Sequence, residues 1–95
     1  MKIRVKFIGP FFYLTNCKEI TLDIPHKSTV NELLMMLAIR FGDDFNKKVT
    51  KEALNNKALQ KLIYVNNYSI FYLKKLETEL KENDVISFFP PMAGG

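Results

Sequence analysis

The stretch TVNELLMMLAIRFG, residues 29–42, is the clearest helix of the sequence and decides how the rest of the chain folds around it. Thr29 and Glu32 have the spacing of a capping box, in which each side chain binds the backbone N–H of the other residue. Gly42 is a natural C-terminal stop. Apolar residues recur at helical spacing and predict one buried stripe, made of Val30, Leu33, Leu34, Leu37, Ala38 and Phe41. Three further residues widen this surface, and we interpret them as edge packing rather than an interaction patch: Met35, Met36 and Ile39.

Two segments before the helix alternate between apolar and polar residues, which is typical of half-buried strands. Residues 2–8 and residues 19–24 both have this pattern, and we expect them to pair. The inward-facing side chains are Ile3, Val5, Phe7, Ile20, Leu22 and Ile24. Gly9-Pro10 ends the first strand, Pro25 ends the second, and the apolar segment 11–14 between them reads as a short helical turn on the core.

The segment after the helix is less regular. Residues 43–60 are polar, rich in lysine and weakly periodic, and a short helix there rests on Phe45, Val49, Ala53 and Leu54. Strands are predicted at residues 62–66, 68–71 and 85–89. Turns are predicted at Asn66-Asn67, where asparagine tolerates a positive φ, and at Glu82-Asn83-Asp84. The order of elements predicts an α+β fold, with a sheet of four or five strands packed on one main helix.

Length and composition exclude several classes of protein. The chain has 95 residues and room for one core, which we place at residues 1–89 with an extended tail at residues 90–95. Cys17 and His26 are the only residues of their types, so no disulfide, cysteine-based zinc site or motif for nucleophilic catalysis is expected. No glycine-rich phosphate loop and no apolar run of membrane-spanning length occur. We therefore expect a cytoplasmic protein that binds no cofactor or metal itself.

The net charge of +4 is mild, and no block of five like charges occurs, so the sequence does not favour a nucleic-acid partner. The last six residues are more informative. Pro90 and Pro91 hold the chain extended and outside the sheet, and Met92, Ala93, Gly94 and Gly95 follow. A diglycine segment passes through a channel that larger side chains would block, and it presents the Gly95 carboxylate at its tip. An ordinary frayed terminus is the alternative.

FFPPMAGG, residues 88–95, resembles the C-terminus of the small subunit of molybdopterin synthase, one of the MoaD/ThiS sulfur carriers. Tyr64-Val65-Asn66-Asn67 stands where this family usually has a strand ending in Val-Asn-Gly, and residues 76–85 resemble its Asp-Gly-Asp turn. The sequence departs from the family at Asn67, at Glu82-Asn83 and in the segment 9–12, which is usually more polar and contains arginine. The resemblance covers essentially the whole chain.

The resemblance implies a ubiquitin-like β-grasp fold with a diglycine tail. It also implies that an E1-like adenylating enzyme uses ATP to activate Gly95, whose carboxylate is then converted to a thiocarboxylate. In molybdopterin synthase the tail enters the large subunit, and the carrier is a non-catalytic subunit. The corresponding tail residues here are Pro90, Pro91, Met92, Ala93 and Gly94, followed by Gly95. Relatives serve thiazole synthesis or tRNA thiolation, or are joined to lysines of target proteins.

Alternation in the last strand predicts a partner-binding surface beside the tail. Ser87 and Phe89 face away from the helix, and Ile8 shares the side of Lys2, Arg4 and Lys6. Phe89 and Ile8 are therefore predicted to bind a partner, with closure of the core as the alternative for Phe89. Three functions stay open: a sulfur carrier for molybdenum or tungsten cofactor synthesis, a ubiquitin-like modifier, and a basic nucleic-acid-binding module.

Overall fold

The computed structural model of the protein describes residues 1–91. Its strands are β1 (Lys2–Phe7), β2 (Glu19–Asp23), β3 (Ile63–Val65), β4 (Tyr68–Ser69) and β5 (Val85–Phe88). They form one mixed sheet in the order β2-β1-β5-β3-β4. The central strands β1 and β5 run parallel, and all other neighbours run antiparallel. The predicted α+β sheet and the pairing of the first two strands are confirmed.

The long helix is α2 (Val30–Phe41), and both ends form as the sequence predicts. The Thr29 hydroxyl oxygen accepts from the Glu32 backbone N–H at 3.2 Å, and the Glu32 carboxylate accepts from the Thr29 backbone N–H at 3.0 Å. Gly42 follows the helix at a φ of 96°, which few residues other than glycine adopt. The buried part of the apolar stripe lies against the sheet and comprises Val30, Leu33, Leu34 and Leu37.

The interpretation of the wider apolar surface of α2 was wrong for two of its three residues. Met35 is 54% exposed and Ile39 is 86% exposed, and only Met36 packs against the core. At about 100° per residue, Met35 and Ile39 lie on the side of the helix opposite the buried stripe, so their side chains face solvent.

Shorter helices surround the end of the sheet where β5 stops. They are α1 (Pro10–Thr15), α3 (Asp43–Phe45), α4 (Lys51–Ala53) and α5 (Lys57–Lys61), with a π-helical turn, Asn46–Thr50, between α3 and α4. Residues 43–53 therefore follow one helical path that buries Phe45, Val49 and Ala53, whereas Leu54 is exposed. Two 3₁₀ turns, Ile70–Tyr72 and Lys75–Glu77, lie between β4 and β5.

Aromatic packing fixes the position of the end of β5. Phe88 is fully buried, and its ring lies 5.5 Å from those of Phe7 and Phe11 and 6.2 Å from that of Phe45. These contacts join β5 to β1, α1 and α3, so the last residue of the strand has one well-defined place. None of the helices within residues 1–91 is long and apolar enough to cross a membrane.

Candidate functional site

The chain leaves the sheet at Phe89, and the structure places this residue on the outer face, away from α2. The Phe89 backbone N–H donates to the Leu62 carbonyl at 2.9 Å, while its side chain stays 39% exposed. The ring meets that of Tyr64 edge to face, with 5.1 Å between the ring centroids. Closure of the core, the alternative for Phe89, is therefore performed by Phe88, its buried neighbour.

Gly9 and Pro90 fix the first step of the tail. Gly9 has a φ of +63°, and a Cβ atom built on it would lie 3.0 Å from Pro90 Cβ and 3.2 Å from Pro90 Cγ. A side chain at position 9 would therefore push the proline ring away. Since the φ of Pro90 is fixed by its own ring, this contact sets the direction in which the chain leaves the domain.

An open groove of ≈620 Å³ runs along this exit, and we call it the exit groove. Its apolar lining comes mainly from Ile8, Leu62, Tyr64, Phe89, Pro90 and Pro91. The structure thus brings together four residues that the sequence singled out from separate parts of the chain: Ile8, Phe89, Pro90 and Pro91. The other predicted site residues, Met92, Ala93, Gly94 and Gly95, lie outside the described residues.

The outer face of the sheet beside the exit groove carries basic side chains on β1 and acidic side chains on β2. Arg4 and Lys6 lie 3.9 and 4.0 Å from the carboxylate of Glu19, and all three side chains are about half exposed, so these ion pairs contribute little to stability. Ser87 is buried even though it faces away from α2. Its neighbours in the sheet register are Lys6 and Tyr64, whose long side chains flank it on both sides.

Sequence reasoning missed the most exposed aromatic side chain near the tail, Tyr13 of α1, which is 83% exposed. The same helix buries Phe11, as expected for a turn that lies on the core. Because α1 is only six residues long, its sequence gives too few turns to show which side faces solvent. Within residues 1–91 no group of three histidine, cysteine, aspartate or glutamate side chains is placed to hold a metal ion.

Comparisons with known proteins agree with this arrangement. The ThiS family model matches residues 5–95. A candidate sulfur carrier protein of Archaeoglobus fulgidus is 33% identical over 69 residues, which are 73% of this chain and 76% of that protein. A candidate molybdopterin converting factor, subunit 1, from Pyrococcus furiosus superposes with a TM-score of 0.76 at 26% identity, over 96% of this chain and 98% of that one.

Two further structures show the fold alone. The complex of subunits 1 and 2 of the molybdopterin-converting factor from Helicobacter pylori contains a chain with a TM-score of 0.61 at 24% identity, with all of both chains covered. Small archaeal modifier protein 1 of Haloferax volcanii has a TM-score of 0.72 at 14% identity, again with full coverage of both chains.

A mixed five-stranded sheet packed on one main helix defines a ubiquitin-like β-grasp protein, and here the central strand β5 leads into Pro90 and Pro91. This chain belongs to the ThiS family, the sulfur carriers of the MoaD/ThiS type.

Proposed function

We propose that the chain is the small, sulfur-carrying subunit of a molybdopterin synthase and acts through the carboxylate of Gly95. The observation that carries this proposal is the exit groove. β5 delivers Pro90 and Pro91 to an exposed apolar surface that also contains Ile8 and Phe89, in a chain of the ThiS family. The likeness to the subunit 1 protein of Pyrococcus furiosus supports the synthase among the pathways that such carriers serve.

The chemistry takes place at the tip of the tail and in the sites of partner proteins. An E1-like adenylating enzyme binds ATP, and the Gly95 carboxylate attacks the α-phosphorus, which releases pyrophosphate and leaves an acyl-adenylate. Sulfide then attacks the acyl carbon, the bond to AMP breaks, and a thiocarboxylate is left. The large subunit of the synthase receives this thiocarboxylate, whose sulfur passes to the pterin precursor while the carboxylate is restored. The chain is thus acted upon, and ATP belongs to the activating partner.

The length of the tail suits delivery into a narrow site. Four residues follow Pro91, and an extended chain of four residues reaches at most about 14 Å. Ala93, Gly94 and Gly95 have small side chains or none, so a channel that excludes water can still admit them. The two prolines reduce the conformational freedom that the tail loses on entering such a channel.

The exit groove supplies the surface on which the receiving protein rests. Phe89 and Tyr64 pair edge to face and leave apolar area exposed, and aromatic side chains of this kind are enriched where proteins bind each other. In the Helicobacter pylori protein of the same fold, subunit 1 is found in a complex with subunit 2. We assign the corresponding contact here to Ile8 and Phe89.

Conjugation of Gly95 to lysines of target proteins is the second candidate, since a modifier uses the same activated carboxylate. The fold is shared with a small archaeal modifier protein, at an identity that leaves the choice of pathway open. Both candidates require the same first step and differ in the nucleophile that follows it.

The test is activation of the chain by the adenylating enzyme encoded in the same genome. ATP-dependent pyrophosphate release is measured with the full chain, with a chain that lacks Gly94 and Gly95, and with Phe89→Ala. We expect release with the full chain, none with the shortened chain, and a raised KM with Phe89→Ala. The proposal fails if the shortened chain is activated as well as the full chain. Isopeptide-linked lysine conjugates in cells that lack any thiocarboxylate would favour the modifier instead.

A further inference from the structure

The exit groove is one of three grooves that surround the start of the tail. A second, the strand-side groove, has a volume of ≈450 Å³ and is lined chiefly by Lys6, Ile8, Gly9, Phe12, Tyr13, Lys18 and the acidic Glu19. A third, the helix-side groove, has a volume of ≈400 Å³ and is lined chiefly by Tyr13, Leu14, Lys48, Val49, Leu59 and Pro91. Tyr13 separates these two grooves, Ile8 connects the strand-side groove to the exit groove, and Pro91 connects the exit groove to the helix-side groove.

The shortness of the tail brings a partner close to these grooves. The Gly95 carboxylate lies no more than about 14 Å from Pro91 along an extended chain, so an enzyme that takes it into an active site must bring its own surface near Pro91. Pro91 lines both the exit groove and the helix-side groove. An enzyme that encloses the tail therefore meets α1 as well as the outer face of the sheet.

The backbone and the ring of Tyr13 are both held in place by neighbouring residues, which suits this side chain to contact with a partner. Phe11 anchors α1 in the core beside Phe88, and Asn16 ends the helix with its backbone N–H donating to the Phe12 carbonyl at 2.7 Å. The ring of Phe12 supports that of Tyr13 edge to face, with 5.4 Å between the centroids. A large aromatic side chain on a fixed backbone loses little freedom on binding, which is typical of residues that dominate interfaces.

Charge defines the chemistry of the surface that fits against Tyr13. Lys18 lies in the groove on one side of this residue and Lys48 in the groove on the other. The carboxylate that lines the strand-side groove, Glu19, lies 3.9 Å from Arg4 and 4.0 Å from Lys6, whereas within residues 1–91 neither Lys18 nor Lys48 has a carboxylate within 4.0 Å. Two such lysines beside an exposed aromatic ring complement an apolar pocket bordered by carboxylates.

We propose that α1 is a second docking surface, on which Tyr13 enters an apolar pocket with an acidic border at the mouth of the adenylating enzyme's tail channel. This inference rests on the proposed function, and it holds for a sulfur carrier and for a modifier because both need adenylation. Lys18 and Lys48 face the carboxylates of that border.

The test measures binding of the full chain to the adenylating enzyme of the same genome by calorimetry. Tyr13→Ala is compared with Tyr72→Ala, which removes an aromatic ring of similar exposure, 75%, from the 3₁₀ turn after β4. We expect Tyr13→Ala to weaken binding at least about tenfold and Tyr72→Ala to leave it unchanged. Because both side chains are exposed, both variants keep the unfolding midpoint of the wild type.

A second pair of variants tests the charges. Lys48→Glu is expected to weaken binding and to reduce its dependence on salt, whereas Lys81→Glu, at the opposite end of the sheet, leaves both unchanged. Equal binding by wild type, Tyr13→Ala and Lys48→Glu overturns the docking surface while the proposed function stands. Failure of the wild type to bind or to be activated overturns both.

Discussion

The ring of Pro90 lies directly over Gly9, so close that a β-carbon at position 9 would stand 3.0 Å from Pro90 Cβ. Gly9 follows β1 and Pro90 follows β5, and these two strands run parallel at the centre of the sheet. The contact therefore joins the turn that leads into α1 to the first residue of the tail. It gives a structural reason for glycine at position 9 and for the position of Pro90.

Gly9→Ala should destabilise the domain for two reasons, and the same substitution at Gly42 distinguishes between them. At Gly9, the φ of 63° and ψ of −130° lie in a region that alanine rarely adopts, at a cost of about 1–3 kcal/mol, and the new methyl group would also crowd Pro90 at 3.0 Å. Gly42 has a φ of +96°, but no atom lies within 4 Å of the place that a β-carbon would occupy there, so Gly42→Ala has only the first cost. Urea unfolding should show the larger loss of free energy for Gly9→Ala. Equal losses in the two variants would contradict the contact.

Pro90→Gly should relieve part of the damage in Gly9→Ala, because it removes the ring atoms that the new methyl group meets. A double-mutant cycle on the free energy of unfolding should therefore give a favourable coupling between positions 9 and 90. Additive effects of the two substitutions would show that the proline ring does not restrain position 9.

Phe88 and Phe89 are neighbours in sequence with opposite roles. Phe88→Ala removes a fully buried ring from the aromatic cluster and should cost about 3–5 kcal/mol of unfolding free energy, enough to unfold much of a small domain. Phe89→Ala removes a ring that is 39% exposed and should cost far less, while it weakens binding to the adenylating enzyme. Chemical denaturation and calorimetric titration measure the two effects. A strongly destabilised Phe89→Ala would show that this ring closes the core.

The capping box of α2 supplies a further test. Thr29→Ala removes the oxygen that accepts from the Glu32 N–H and should lower the free energy of unfolding by about 1 kcal/mol. Thr29→Ser keeps that acceptor and should have a smaller effect. Loss of the same free energy in both variants would mean that the methyl group, rather than the hydroxyl group, stabilises the helix start.

Features that depend on neighbouring residues were predicted well from the sequence. The capping box, the alternation of β1 and β2 and the turn at Asn66, whose φ is 56°, all follow from short spacings. Alternation also placed Ile8 and Phe89 on one side of the sheet, because the direction of a strand side chain is set by its position alone. Their role in binding a partner stays a prediction.

Features that depend on distant parts of the chain were not predicted. The π-helical turn Asn46–Thr50 interrupts the usual helical period, so residues 43–60 give no clean pattern. Met35 and Ile39 are an exception, because the helical period alone already places them opposite the buried stripe and indicates their exposure. The helix-side groove forms only when α1 meets residues 48–59, and no spacing in the sequence shows that contact.

The most direct test of the account is the intact mass of the chain after incubation with its adenylating enzyme, ATP and a sulfur source. The account predicts a mass gain that corresponds to replacement of one oxygen by sulfur, located at Gly95 by fragmentation and absent when ATP is omitted. A chain that lacks Gly94 and Gly95 should show no gain. An unchanged mass at Gly95, under conditions in which the enzyme converts another carrier, would contradict the central claim.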